Sequence, residues 1–188
     1  MINELYYVTS NYSKYELIKN YLAQYHVVVQ NSALDFSEEQ TFDLKKIAMA
    51  KAEHAWSLVQ KPLLVDDCGF YFSHYHQFPG VLSKFVFQGL GYEGLYRLYD
   101  DGDQATFESC VVFVDALGTL YPYHGVVSGR LVKPNNTTAS NEIAYANLFI
   151  PDRTLLSLAE LINKHGYSEF DPRVHALQQF VKEHISIG

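Results

Sequence analysis

The sequence predicts an α/β fold in which helices cover the strands of a sheet, and three observations carry that expectation. Pro62-Leu63-Leu64-Val65 is a short apolar run bounded by proline and, at Gly69, by glycine. That is the pattern of a strand buried on both faces of a sheet. Leu5-Tyr6-Tyr7-Val8-Thr9 has strand composition and passes through a polar turn into a segment of helical spacing. Between these strands, Leu44, Ile47, Ala48, Ala52, Ala55 and Leu58 fall on one side of a helix over Phe42–Leu58.

The chain of 188 residues is long enough for one large domain, and neither repeat nor low-complexity linker divides residues 1–188. A composition 48% hydrophobic and 19% charged is globular rather than disordered. Net charge is −7, without a block of Lys or Arg, so a nucleic-acid polymer is not the expected partner. A small anion remains possible, because a few local cations and a metal can hold one. Cys68 and Cys110 lack zinc spacing and are expected as reduced thiols of a cytoplasmic protein. The N-terminus has neither the charged nor the long apolar region of a signal peptide, and no run is long enough to span a bilayer. No membrane partner is therefore expected.

Taken in order, the first helix holds Leu17, Ile18, Tyr21 and Leu22 on one side. Ser13 and Glu16 have capping-box spacing, which predicts a start near Ser13. His26–Gln30 contains a second strand, Val27-Val28-Val29, and the polar stretch to Thr41 carries Glu38 and Glu39. After the Phe42–Leu58 helix and the apolar strand, Gly69–Ser73 continues as strand to a turn at Gln77–Gly80. Leu90–Asp101 is predicted as a helix with Leu95 and Leu98 inward. Ala105–Leu117 and Leu120–Pro134 pair as a hairpin around Gly118. A polar loop follows, then a short strand at Leu148–Ile150 and helices over Thr154–Lys164 and Arg173–His184, with Thr154 as N-cap.

The chemistry is expected where the buried strand ends in Asp66 and Asp67, since ligands of open α/β sheets collect at the carboxyl ends of strands. Neighbouring strand residues point to opposite faces, so two full carboxylates fit poorly as core. An Asp turn closing the strand is the bland alternative. The Thr9-Ser10-Asn11-Tyr12-Ser13-Lys14 turn, opening a helix, is a natural phosphate site. Lys14 opposes the helix dipole unless an anion is bound, although a solvated surface lysine is the commoner case. Lys51 lies near an apolar stripe, where a buried lysine needs a partner. Glu38, Glu39 and Asp43 either favour the dipole of the helix they precede or share a divalent cation with the Asp pair. Oxygen-only ligands suit Mg²⁺.

These residues, in this order, resemble the inosine triphosphate pyrophosphatase family, the Ham1-like nucleotide pyrophosphatases. Thr9–Lys14 is similar to the family's TGNxxK motif, and Ala48 with Lys51-Ala52 to its lysine-bearing helix. Asp66-Asp67-Cys68-Gly69 resembles its DDSG signature and Pro79–Ser83 its PGxxS turn. Tyr92–Leu95, Phe107, Cys110, Gly125 and Ser128–Leu131 follow in the family's order. The resemblance implies an elongated mixed central sheet flanked by helices, with two lobes around a substrate cleft, usually as a homodimer. It implies Mg²⁺-dependent hydrolysis of noncanonical purine nucleoside triphosphates to monophosphate and pyrophosphate. By the same resemblance Thr9, Ser10, Asn11, Ser13, Lys14 and Cys68 face the phosphates. Glu39, Asp66 and Asp67 form the metal end, with Asp43 as substitute for Glu39. Asp67 activates water, and Lys51 neutralises charge.

The C-terminal third departs from the family. Where the family has GFGYDP before IFIPD, this chain has Glu142-Ile143-Ala144-Tyr145-Ala146-Asn147 before Leu148-Phe149-Ile150-Pro151-Asp152. Of the base-reading SHR triplet only Arg173 remains, after Asp171 and Pro172, and Lys164 stands near the family's lysine. Tyr145, Lys164 and Arg173 are the residues left to meet the base, with Asp171 or Glu142 as new acceptors. Intact phosphate motifs point to an active enzyme. An eroded base-reading end points to a nucleotide-binding protein of attenuated turnover. A Mg²⁺-dependent phosphatase of another substrate is a third reading.

Overall fold

The structure, a computed structural model, describes residues 2–34, 41–133, 144–165 and 169–185. Its chain order is β1 (Glu4–Val8), α1 (Tyr12–Ala23), β2 (Val28–Ser32), α2 (Leu44–Val59), β3 (Leu63–Phe72), β4 (Pro79–Gly80), α3 (Ser83–Leu95), β5 (Gln104–Val114), β6 (Leu120–Leu131), α4 (Ala144–Leu148), β7 (Phe149–Pro151), α5 (Leu158–His165) and α6 (Pro172–His184). The strands form one mixed sheet in the order β2-β1-β3-β5-β6-β7, with β4 pairing β3. β2, β1 and β3 run parallel, and the β3-β5-β6-β7 pairs are antiparallel. The expected mixed sheet flanked by helices is therefore present. Among the described residues no helix is long and apolar enough to cross a membrane.

Long strands carry the sheet from one packing region into another. Near the start of β3, α1 and α6 bury Leu17, Ile18, Leu177 and Phe180 against Leu64 and Val111 on one face. On the other face α2 buries Ala48, Ala52 and Ala55 against Leu63, Val65 and Val112. From Phe70 onward, a second core of aromatic residues gathers Phe72, Phe87, Phe107, Tyr145 and Phe149 with α3, α4 and α5. Asp66–Gly69 lies at the junction of these regions. Strand alternation there sends Asp66 and Asp67 to opposite faces.

Several element ends differ from expectation, each for a local reason. Asn11, not Ser13, caps α1: its side chain accepts from the Lys14 amide at 2.9 Å. The β2 strand runs two residues later than His26–Gln30. The β5–β6 hairpin is confirmed, but its strands stop at Val114 and Leu131. Asp115 replaces ladder bonds with a turn, accepting from the Leu117 and Thr119 amides. The Leu90–Asp101 expectation caught only the end of α3, which begins at Ser83 and breaks at Gly91, where φ is +59°. Gly89, Gly91 and Gly94 had removed the apolar period by which a helix is recognised. Ser157 and Glu160, not Thr154, open α5 as a capping box: Ser157 N donates to Glu160 Oε2 at 2.7 Å, and Glu160 N to Ser157 Oγ at 3.2 Å.

Gly125 brings α6 onto β6. A Cβ there would stand 1.9 Å from the Pro172 carbonyl oxygen and 2.9 Å from the Ala176 nitrogen. The first turn of α6, with Arg173, therefore lies directly on the sheet. Gly125→Ala should push this turn outward. The expected result is a lowered melting temperature together with weakened anion binding, read by thermal unfolding with and without pyrophosphate. Unchanged values for both would mean that α6 tolerates the displacement.

Candidate active site

Asp66 is the centre of the site. It is buried, at 6% exposure, near the middle of β3. Its Oδ1 accepts the Tyr7 hydroxyl and Lys14 Nζ, the latter at 3.1 Å. Its Oδ2 accepts Lys14 Nζ at 3.1 Å, Arg173 Nε at 3.0 Å and the Cys68 thiol at 3.1 Å. Burial works against ionisation here. Lys14 and Arg173, with the hydrogen bonds from Tyr7 and Cys68, overcome it and hold the carboxyl well below the usual range. Arg173 in turn reaches fully buried Asp171 through Nη1, at 3.1 and 3.3 Å, and lies over the Phe107 ring at 5.7 Å. Burial disfavours the charge on Lys14 and on Arg173. The surrounding anions more than restore it, with both groups raised above their ordinary values.

Asp67 faces α2. Lys51 Nζ donates to its Oδ1 at 3.1 Å, with both side chains about 15% exposed. Lys51 thus has the partner that its place beside the apolar stripe demanded. Burial pushes the Asp67 carboxyl up, against the pull of Lys51 and Lys14 and with the help of Asp66. An up-shifted carboxylate beside a charge-paired one is how a fold separates a proton acceptor from a fixed anion. The Cys68 thiol is pushed up to about 12 by burial, so it donates a hydrogen bond rather than acting as a thiolate. It also contacts Ser109 Oγ at 3.5 Å, and Ser109 donates to the Asp67 carbonyl at 3.3 Å.

Other expected residues are placed less uniformly. Thr9 and Asn11 shape the turn: Asn11 N donates to Thr9 Oγ1 at 3.1 Å, and Asn11 Oδ1 caps α1. The amides of Asn11 and Lys14 are therefore engaged within the turn, which narrows the expected amide cradle. Ser10 is exposed and Ser13 half-buried on the same turn. Asp43 caps α2, accepting from the Lys46 amide at 3.1 Å. Glu38, Glu39 and Glu142 lie outside the described residues. Lys164 is exposed on α5, and no contact among the described residues ties it to Asp66 or Asp67. Tyr145 is buried in the aromatic core 4.9 Å from Phe70, and its hydroxyl has no partner among the described residues.

Sequence reasoning missed Tyr7 and Ser109. Tyr7 is fully buried between the neighbouring strands, and its only signal was a polar tip within a core strand. A groove of about 930 Å³ opens further along the Asp67 face, lined by Tyr71, Thr106, Glu108 and His124 among others. None of Lys14, Asp66, Asp67 or Arg173 lines it.

A family model described as the Ham1 family matches residues 5–183. This chain belongs to the Ham1 family. Curated relatives span nearly the whole chain. A protein named dITP/XTP pyrophosphatase from Methanopyrus kandleri is 28% identical over 178 residues, covering 94% of this chain and 93% of that protein. A protein named inosine triphosphate pyrophosphatase from Saccharomyces cerevisiae is 27% identical, covering 97% and 96% respectively. Among solved structures, a HAM1 protein from Coxiella burnetii superposes with a TM-score of 0.74 at 21% identity, covering 97% of this chain and 98% of that one. That likeness shows the Ham1 fold. Within it, the Asp66 and Asp67 carboxylates occupy the junction of the two packing regions.

Proposed function

We propose that this chain hydrolyses nucleoside triphosphates, noncanonical purine ones among them, to the monophosphate and pyrophosphate. The observation that carries this reading is the convergence of Lys14 and Arg173 on one buried carboxylate, next to an up-shifted carboxylate paired with Lys51. Family membership and the activities named for the Methanopyrus and Saccharomyces relatives support it.

Catalysis of this kind is chiefly positioning and charge neutralisation. Lys14 and Arg173 bind phosphate oxygens of the incoming substrate. Asp67 orients a water and takes its proton as the water oxygen bonds to the α-phosphorus. The bond from that phosphorus to the bridging oxygen breaks, and pyrophosphate leaves with the bond's electron pair. Lys51 stabilises ionised Asp67 before the transfer and the negative charge nearby after it.

The donor set fits a divalent cation. Asp66 and Asp67 offer oxygen alone, and Asp66 already holds two cationic side chains that a metal can replace as they move to phosphate. Among the described residues no group of three or more His, Cys, Asp or Glu could hold a metal. Mg²⁺ usually takes one or two carboxylates plus substrate phosphates and waters, so it needs no larger protein cluster. Asp66, with Glu39 or Asp43 as the second carboxylate, would hold it, leaving Asp67 as the base, and it would neutralise charge developing on the phosphates. The family resemblance adds a homodimer to this reading, and the two free cysteines a cytoplasmic location, checked by light scattering and by cell fractionation.

The test is a screen of nucleoside triphosphates with Mg²⁺, scoring pyrophosphate separately from orthophosphate. Pyrophosphate with monophosphate is the expected pair of products. Orthophosphate with the diphosphate would replace the reading with an ordinary phosphatase. Lys14→Ala should weaken triphosphate binding by at least about tenfold and leave nucleoside binding unchanged, since hydrogen bonds to charged groups contribute about 1.5–3 kcal/mol. Equal effects on both ligands would return Lys14 to a structural ion pair.

A further inference from the structure

Tyr7 lies outside every motif of the family resemblance, yet it touches the centre of the site. Its backbone is held in the sheet opposite Asn31 of β2 and Leu64 of β3. The side chain is completely buried, and its hydroxyl donates to Asp66 Oδ1. A phenol inside a sheet is costly unless its polar tip finds a partner. Here that partner is a carboxylate, to which the phenol O–H donates.

The other donors to Asp66 are of two kinds. Lys14 and Arg173 reach it on long side chains from α1 and α6. They are also the groups assigned to phosphate. The Cys68 thiol is a weak donor. When phosphate draws the two cations away, Asp66 exchanges its strongest partners for the incoming divalent cation, and during that exchange only the Tyr7 hydroxyl and the Cys68 thiol stay on it. A buried carboxylate that turns from its binding orientation at that point weakens substrate binding.

We propose that Tyr7 is a positioning residue for triphosphate binding: its fixed hydroxyl keeps Asp66 oriented and hydrogen-bonded while Lys14 and Arg173 shift from Asp66 to the phosphates. The proposal rests on the nucleotide pyrophosphatase reading. It assigns Tyr7 no contact with substrate.

Tyr7→Phe tests it, because the ring that fills the core is kept and only the hydroxyl is lost. KM for ITP at saturating Mg²⁺ should rise on the order of 10–100-fold, the range of one hydrogen bond to a charged group. kcat should be largely kept. The melting temperature of the ligand-free protein should move little, because Lys14, Arg173 and Cys68 still hold Asp66 in that state. A lowered melting temperature with unchanged KM would overturn the proposal by making Tyr7 merely structural. A double-mutant cycle with Asp66→Asn decides the case in which both quantities move. The Tyr7→Phe effect on affinity for a nonhydrolysable ITP analogue, read by calorimetric titration so that an inactive Asp66→Asn background still reports, should shrink once Asp66 carries no charge, and an undiminished effect would overturn the proposal. If the wild-type protein releases pyrophosphate from no nucleoside triphosphate, the underlying reading falls and this proposal with it. An active wild type with an unchanged Tyr7→Phe KM removes this proposal alone.

Discussion

Asp67→Asn should lower kcat by about 10²–10⁴-fold, the usual contribution of a general base, with fold and triphosphate binding left in place. Asparagine has nearly the same shape, and its side-chain oxygen can still accept from Lys51, which donates to Asp67 at 3.1 Å. It cannot take a proton from water. The choice of Asp67 over Asp66 follows from their surroundings. Asp66 is held as an anion by two cations, a phenol and a thiol, and so is a poor proton acceptor. Asp67 has one cationic partner and a carboxyl pushed up by burial. Steady-state release of pyrophosphate at saturating ITP gives kcat, and titration of ITP gives affinity. A variant turning over near the wild-type rate would remove Asp67 from the role of base.

The parts of this site that were legible in the sequence are those written as short local patterns. Asp66-Asp67-Cys68-Gly69 is visible because an apolar strand runs straight into two carboxylates. Lys14 is visible because it offends the dipole of its helix, and Lys51 because it sits beside an apolar stripe. Convergence was not legible. Arg173 and Asp66 are 107 residues apart and meet because Gly125 admits α6 onto β6. Tyr7 was hidden for a different reason: a tyrosine in a strand looks like core until the partner of its hydroxyl is known. In the fold, short apolar runs and the α2 stripe marked the correct elements, whereas α3 was largely lost because glycines interrupt its apolar period.

Base discrimination should be shallow, with kcat/KM for ITP exceeding that for ATP by on the order of 10–10²-fold, the range available to pocket shape alone. A site that hydrogen-bonds a substrate group can reject an analogue lacking it by about 10⁴–10⁵-fold, because its own buried polar groups are then left unpaired. At two of the base-reading positions that penalty cannot arise here. Pro172, in place of the family's histidine, is buried at the start of α6, where proline's missing N–H costs nothing. Ala146, in place of the family's aspartate, is buried and offers no side-chain polar group. Asp171 had been expected as a new acceptor for a base carrying an amino group. Instead it is completely buried, caps α6 through the Arg173 amide at 2.7 Å and holds the Arg173 guanidinium. That removes Asp171 from this role and leaves Glu142, which lies outside the described residues, as the acceptor expected for such a base. The decisive measurement is kcat/KM for ITP, XTP, GTP, ATP and CTP at one Mg²⁺ concentration. A preference of 10⁴-fold or more for ITP or XTP over ATP would show that other residues of this chain read the base through hydrogen bonds, and would overturn the expectation drawn from Pro172 and Ala146.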